Sequence, residues 1–196
     1  MNDNIFNNKP LQYQRIANAT KEISFDMASD MQTGSLLKTL VASKCNANIL
    51  ELGTGTGLAT SWIIDGMAAN SRLVTIDNNE LLLNIAKEQL QDARIKFIFA
   101  DAYEWISKYD GQKFDFIFAD AIPGKYDLLE ETLTLLNPGG LYVIDDMLPQ
   151  PNWPEGHNVK AEALIQTLEK RSDLAITKLN WSTGIIICCK SQIINS

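Results

Sequence analysis

Basic charge is scarce in this chain, and so are histidine, cysteine and long apolar runs. Only 17 Lys and Arg stand against 24 Asp and Glu, a formal net charge of −7. A surface of that sign repels phosphate backbones and anionic membranes unless a local basic face compensates, and no Lys/Arg cluster is visible, so nucleic acid is disfavoured as a partner. No apolar run reaches the roughly 18 residues of a membrane-spanning helix. The opening MNDNIFNNKP is polar and lacks the apolar core of a secretory signal, so a cytoplasmic location is expected. Cys45, Cys188 and Cys189 form an odd set with an adjacent pair in an apolar run, which reads as reduced packing residues. His157 is the single histidine.

What is present is ordinary globular usage, 45% hydrophobic and 21% charged over 196 residues, enough for one domain. Short apolar runs at 48–52, 72–77, 95–100, 114–120 and 140–145 have the β-branched and aromatic content of strands buried on both faces. Helix-like segments at 59–68, 80–93, 102–108 and 126–136 separate them, with Asn79 as an N-cap and Pro138-Gly139-Gly140 as a stop. Strand and helix alternating in this way predict a parallel sheet with helices on both faces. Two last strands, 174–179 and 185–190, are joined by only Asn180-Trp181-Ser182-Thr183-Gly184, too short for a parallel crossover, so an antiparallel hairpin is expected. The charged stretch 162–173 reads as the solvated face of an amphipathic helix. Helices near 11–20 and 33–42 precede the first strand, so residues 1–47 read as a helical extension packed on a domain spanning 48–196.

Chemistry concentrates at the strand ends. Glu51-Leu52-Gly53-Thr54-Gly55-Thr56-Gly57 closes the first strand and opens a helix; its glycines permit a sharp turn and close ligand approach. Asp77 ends the second strand, where a carboxylate can accept hydrogen bonds from ribose hydroxyls. Together they point to a nucleoside cofactor. Asp101 and the adjoining Ala102, after the third strand, are candidates for the adenine, with helix capping as the plain alternative for Asp101. Asp120 closes the fourth strand; Asp145 and Asp146 close the fifth. Three converging carboxylates repel one another unless protonated or neutralised, and a hard cation such as Mg²⁺ or Ca²⁺ suits an all-oxygen set. The alternative is a capping role for one and substrate binding by another. The loop 149–157 carries Trp153, a candidate cover for an acceptor ring, and His157, a candidate general base. Met27 and Met31, ahead of the first strand, are candidates for lining a pocket, with helical core packing as the favoured reading.

With those residues in place, the chain resembles the catechol O-methyltransferase-like family of class I S-adenosylmethionine-dependent methyltransferases, in its bacterial branch. ILELGTGTG is similar to that family's cofactor loop and LVTID to its ribose-binding strand; FDFIFADAIPGKY and LLNPGGLYVIDDML resemble its two later signature segments. The resemblance implies a Rossmann-like α/β fold, a mostly parallel seven-stranded sheet with an antiparallel last strand. It implies S-adenosylmethionine held around Glu51, Gly53, Gly55, Gly57, Asp77, Asp101, Ala102 and Asp120, and a divalent cation on Asp120, Asp145 and Asp146. It also departs from the family: the catalytic lysine falls on Pro123, Asp146 stands where Asn is usual, and Leu58 where many members carry Tyr. Lys125 is the nearest candidate for the missing amine, so Asp120, Lys125 and His157 form the expected catalytic set.

The expected activity is methyl transfer to a small hydroxylated, catechol-like acceptor with cation assistance. Open alternatives are a tRNA-modifying or metal-independent methyltransferase, or a non-catalytic cofactor-sensing module. A homodimer is compatible with the resemblance.

Overall fold

The computed structural model describes residues 8–191; most of the polar opening lies outside the described residues. Among these residues seven strands form one sheet: β1 (Asn48–Leu52), β2 (Arg72–Asp77), β3 (Ile95–Phe99), β4 (Phe114–Ala119), β5 (Leu136–Ile144), β6 (Leu174–Leu179) and β7 (Ile185–Lys190). Their order is β3-β2-β1-β4-β5-β7-β6. The first five are parallel, and β7 lies between β5 and β6, antiparallel to both. The hairpin expected from the short 180–184 connection is therefore present. From β1 the chain winds outward to β2 and β3, then returns to build β4 and β5 on the other side. That reversal opens a crevice at the carboxyl ends of β1 and β4.

Alternation along each strand sorts the core into two layers. Leu50 and Leu52 of β1, Ile117 of β4 and Tyr142 and Ile144 of β5 share one layer with Ile106, Leu133 and Leu168. These last three come from α5 (Ala102–Lys108), α6 (Leu129–Thr134) and α7 (His157–Glu169). Ile49, Phe116, Phe118 and Val143 point the opposite way, against Leu37 and Val41 of α2 (Met31–Ala42) and Ile63 of α3 (Leu58–Gly66). Phe116 and Phe118 are fully buried, each a contribution of about 1.5–3 kcal/mol. The central strands thus satisfy the period-two pattern on both faces, which is why they read as continuous apolar runs.

The N-terminal helices belong to the same packing. Ile16 of α1 (Tyr13–Glu22) is buried against Leu58 and against Leu90, which ends α4 (Glu80–Gln89). Gly34 of α2 faces Trp62 so closely that an added Cβ would lie 2.2 Å from the indole. Asp30 caps α2 by accepting from the Gln32 and Thr33 amides at 2.7 and 2.9 Å. Asn79 caps α4 as expected, accepting from Leu82 at 3.3 Å.

Two helices differ from the sequence reading. The fourth expected helix, 126–136, is shortened to α6, because the amides of Lys125, Tyr126 and Asp127 all turn back to the Ile122 carbonyl and Leu128 sits at φ 57°. The amphipathic helix expected at 162–173 begins earlier, at His157, directly after Gly156 at φ 80°, and ends at Glu169. No helix among the described residues is long and apolar enough to cross a membrane.

Candidate active site

The crevice at the sheet's switch point is a cleft of about 740 Å³, bounded at one end by the glycine loop and at the other by the segments after β4 and β5. That size suits a small-molecule ligand. Backbone geometry explains the glycines. Gly53 has φ 96°, and a Cβ there would lie 2.7 Å from the Asp120 carbonyl oxygen, so only glycine lets β1 end beside β4. Gly57, at φ 92°, opens α3 and packs against Leu90 and Ala86.

Asp77 organises the loop. Its Oδ2 accepts from the Gly55 amide at 2.8 Å and its Oδ1 from the Asn79 amide at 2.8 Å, leaving further lone pairs toward the cleft it lines. Asp101 caps α5 through the Tyr103 amide at 2.7 Å and also lines the cleft beside Ala102. Glu51 does not reach the cleft. It is fully buried beneath the loop, its Oε2 accepting from Thr60 at 2.6 Å and Thr75 at 2.5 Å, while Oε1 has no partner. Burial pushes its pKa up to about 8. Gly57 likewise shapes the loop without lining the cleft. Both brace the loop from the side that faces α3 and α4.

At the other end, Asp120, Lys125, Asp146 and His157 line the cleft together. Asp120 accepts from Ser29 Oγ at 3.1 Å. Burial raises its pKa well above the usual carboxylate range, and the charges of Asp145 and Asp146 raise it further. Lys125 is 4% exposed; its Nζ donates to the Asp145 carbonyl at 2.6 Å and to the Asp146 carbonyl at 3.4 Å. Burial lowers its pKa, while Asp120, Asp146 and Asp145 pull it back up. His157 Nε2 lies 3.0 Å from the Tyr126 hydroxyl, and its ring packs at 4.4 Å from Trp153. Burial and the positive charges of Lys125 and Lys160 lower its pKa, so the imidazole is neutral at neutral pH.

The carboxylates do not form the expected cation site. Asp145 is 2% exposed and lies outside the cleft lining; its Oδ1 accepts from Thr183, from the Asp146 amide at 2.8 Å and from Thr33 at 3.5 Å. Only Asp120 and Asp146 are left to face the cleft, and the Lys125 amine, held by the Asp145 and Asp146 carbonyls, lines it with them. No group of three or more His, Cys, Asp or Glu among the described residues could hold a metal ion. A divalent cation brought there would meet an ammonium within a poorly screened site, which is repulsive. The donor set does not fit the metal that the resemblance implied.

The pattern that defines the O-methyltransferase family matches residues 7–191. The chain belongs to that family. A candidate O-methyltransferase of Mycobacterium avium (strain 104) is 31% identical over 135 residues, 64% of this chain and 61% of that protein. One of Mycolicibacterium vanbaalenii is 30% identical over 138 residues, 66% and 61% of the two chains. The matches thus span about three fifths of these relatives' length. Among solved structures, the O-methyltransferase of Bacillus cereus in complex with SAH superposes with a TM-score of 0.84 at 20% identity, covering 96% of this chain and 94% of that one. The O-methyltransferase TomG of Streptomyces achromogenes, in complex with SAM, gives 0.81 at 24% identity, covering 94% and 92%. These two likenesses carry the O-methyltransferase fold.

Several lining residues were not legible beforehand. Phe25, Ala28 and Ser29 reach the cleft from the segment before α2; Met27 lines it too, exposed and outside any helix, so of its two readings helical packing does not hold. Tyr126 and Tyr103 line it from the far side. Trp153 lines the cleft and also packs on the core.

Proposed function

We propose that this protein is an S-adenosylmethionine-dependent O-methyltransferase acting on a small hydroxylated acceptor. The observation that carries this reading is a single cleft joining a glycine loop braced by Asp77 to a polar end containing Asp120, Lys125 and His157. Asp77 accepts from the ribose hydroxyls, Asp101 and Ala102 flank the adenine, and the Gly53–Gly55 backbone lets the nucleoside approach closely. Trp153, Tyr126 and Met27 supply apolar surface for the acceptor.

In the reaction an acceptor oxygen attacks the sulfonium methyl carbon. The new O–C bond forms as the C–S bond breaks, sulfur keeps the electron pair, and the hydroxyl proton passes to neutral His157. Sulfur is already a good leaving group, so alignment and proton removal are the protein's tasks. Cation assistance is not part of this reading, because Asp145 is engaged by Thr183 and Lys125 stands in the cluster. Of the alternatives left open by the sequence, metal-independent transfer to a small acceptor is the one this donor set favours.

Calorimetric titration with S-adenosylhomocysteine, paired with labelled methyl transfer to a panel of phenols and other hydroxylated acceptors, tests the proposal. Saturable binding with transfer to at least one hydroxyl supports it. Absence of product binding rejects the cofactor assignment.

A further inference from the structure

We propose that the Lys125 ammonium is the resident cation of the Asp120–Asp145–Asp146 cluster, and that it anchors the acceptor oxygen where related enzymes would place a metal. The inference rests on the methyltransferase reading above.

An ammonium is costly to bury unless hydrogen bonds and opposite charge compensate. Both are built in here. Lys125 Nζ donates to the Asp145 and Asp146 carbonyls, and Asp120 and Asp146 line the same cleft as the amine. The backbone that delivers it is fixed from several directions. Gly124 donates to the Asp127 carbonyl at 2.7 Å, and its own carbonyl accepts from the buried Tyr142 hydroxyl. Gly124 sits at φ 87°, where a Cβ would lie 2.2 Å from Leu52, so the turn presses directly on the end of β1. Tyr126 places its ring 4.9 Å from the amine. A surface lysine has no comparable support.

The same contacts explain why a metal is displaced. Asp145 offers its carbonyl to the amine and its Oδ1 to Thr183 and the Asp146 amide, and its side chain is buried outside the cleft lining. Asp146 adopts φ 54°, a left-handed conformation that Asp tolerates better than most residues, and this aims its carbonyl at the amine. Pro123, which cannot supply a base, instead starts the turn that brings the amine in two residues later.

An ammonium has three N–H donors. Two point to backbone carbonyls, and one remains for an acceptor oxygen in the cleft that Lys125 lines. It acts as a point charge, holding one oxygen and stabilising its anionic form, where a metal would chelate two. The acceptor therefore needs a single acidic hydroxyl, as in a simple phenol, and not a vicinal pair. Bond changes are those given above: O–C forms, C–S breaks toward sulfur, and the proton leaves to His157.

Paramagnetic titration with Mn²⁺ reads the cation site without relying on turnover. With S-adenosylhomocysteine present, the unaltered protein should leave the Mn²⁺ signal at full intensity, and Lys125→Met should remove a bound fraction that Asp146→Ala in the same background restores. Mn²⁺ uptake by the unaltered protein that Asp146→Ala abolishes overturns the proposal. So does a folded Lys125→Met variant that leaves all Mn²⁺ free. If that variant does not fold, the unaltered protein still decides, together with its rate on a monohydroxy phenol against the matching catechol in chelator. Comparable rates support a single-oxygen anchor, and transfer confined to the catechol overturns it. Product binding by calorimetry in the same samples reports on the methyltransferase reading separately.

Discussion

The Lys125 amine lies 2.6 Å from the Asp145 carbonyl oxygen, in the wall of a cleft whose opposite end is the Gly53–Gly57 loop. This contact joins the turn after β4 to the end of β5 and brings a positive charge into a group of carboxylates. Cofactor end and acceptor end are thereby organised by different devices, hydrogen-bonded backbone at one and a buried amine at the other. They can be perturbed one at a time.

Removing the Asp77 carboxylate should weaken product binding without unfolding the protein. Asp77→Ala leaves the Gly55 and Asn79 amides without their acceptor and deletes the expected ribose contact. A loss of roughly tenfold or more in affinity is expected, about 1.4 kcal/mol. Calorimetry with S-adenosylhomocysteine measures it, and unchanged affinity would take Asp77 out of the site.

Gly53→Ala should cost about 1–3 kcal/mol of stability and disrupt the cleft. The residue sits at φ 96° and an added Cβ would stand 2.7 Å from the Asp120 carbonyl. Denaturant unfolding measures the loss. Gly156→Ala is the control: its φ of 80° is similarly strained, but the added Cβ meets nothing within 4 Å. A smaller loss there isolates the clash from the strain, and equal losses would show that the approach to β4 is not tight.

His157→Ala should lower turnover by about 10²–10⁴-fold while leaving product affinity intact. His157 must be neutral to take a proton, and its pKa is lowered, so turnover should rise with pH along a limb centred below the ordinary value of 6.5. That limb should vanish in the variant. A limb that persists in His157→Ala would assign the proton to another group.

Glu51 makes a prediction about stability alone. Its folded pKa of about 8 lies above the ordinary 4.5, so the folded state holds a proton that the unfolded chain releases. Its favourable contribution is complete below pH 4.5 and is lost as pH rises through 8. Glu51→Gln removes this dependence. The melting temperature of the variant relative to the unaltered protein should therefore climb between pH 4.5 and 8 and level off above. A difference that stays flat would mean that Glu51 is charged throughout.

Much of this architecture is written locally. Each central strand is an apolar run because both its faces are covered, and Asn79 and Gly57 mark helix starts by local chemistry. The 180–184 connection is too short for anything but a hairpin. Asp77 and Asp120 were legible because a strand end fixes where a side chain must emerge. What escaped the sequence depends on contacts between distant segments. Nothing near Asp145 in sequence indicates that Thr183 and Thr33 claim its carboxylate, since they arrive from the β6–β7 turn and from α2. Lys125 is a candidate for the missing amine by nearness in sequence alone; the three amides turned onto the Ile122 carbonyl are what carry it inward. Phe25 and Ser29 reach the cleft by the packing of α1 and α2, which no strand-end rule describes.

The most direct measurement is transfer of a labelled methyl group from S-adenosylmethionine to a monohydroxy phenol, after dialysis against chelator and again with Mg²⁺ restored. Equal transfer in both samples is the expected result, with Lys125 serving as the only cation needed at the acceptor end. Transfer that appears only when Mg²⁺ is restored would contradict the cation-independent site built around Lys125 and Asp145.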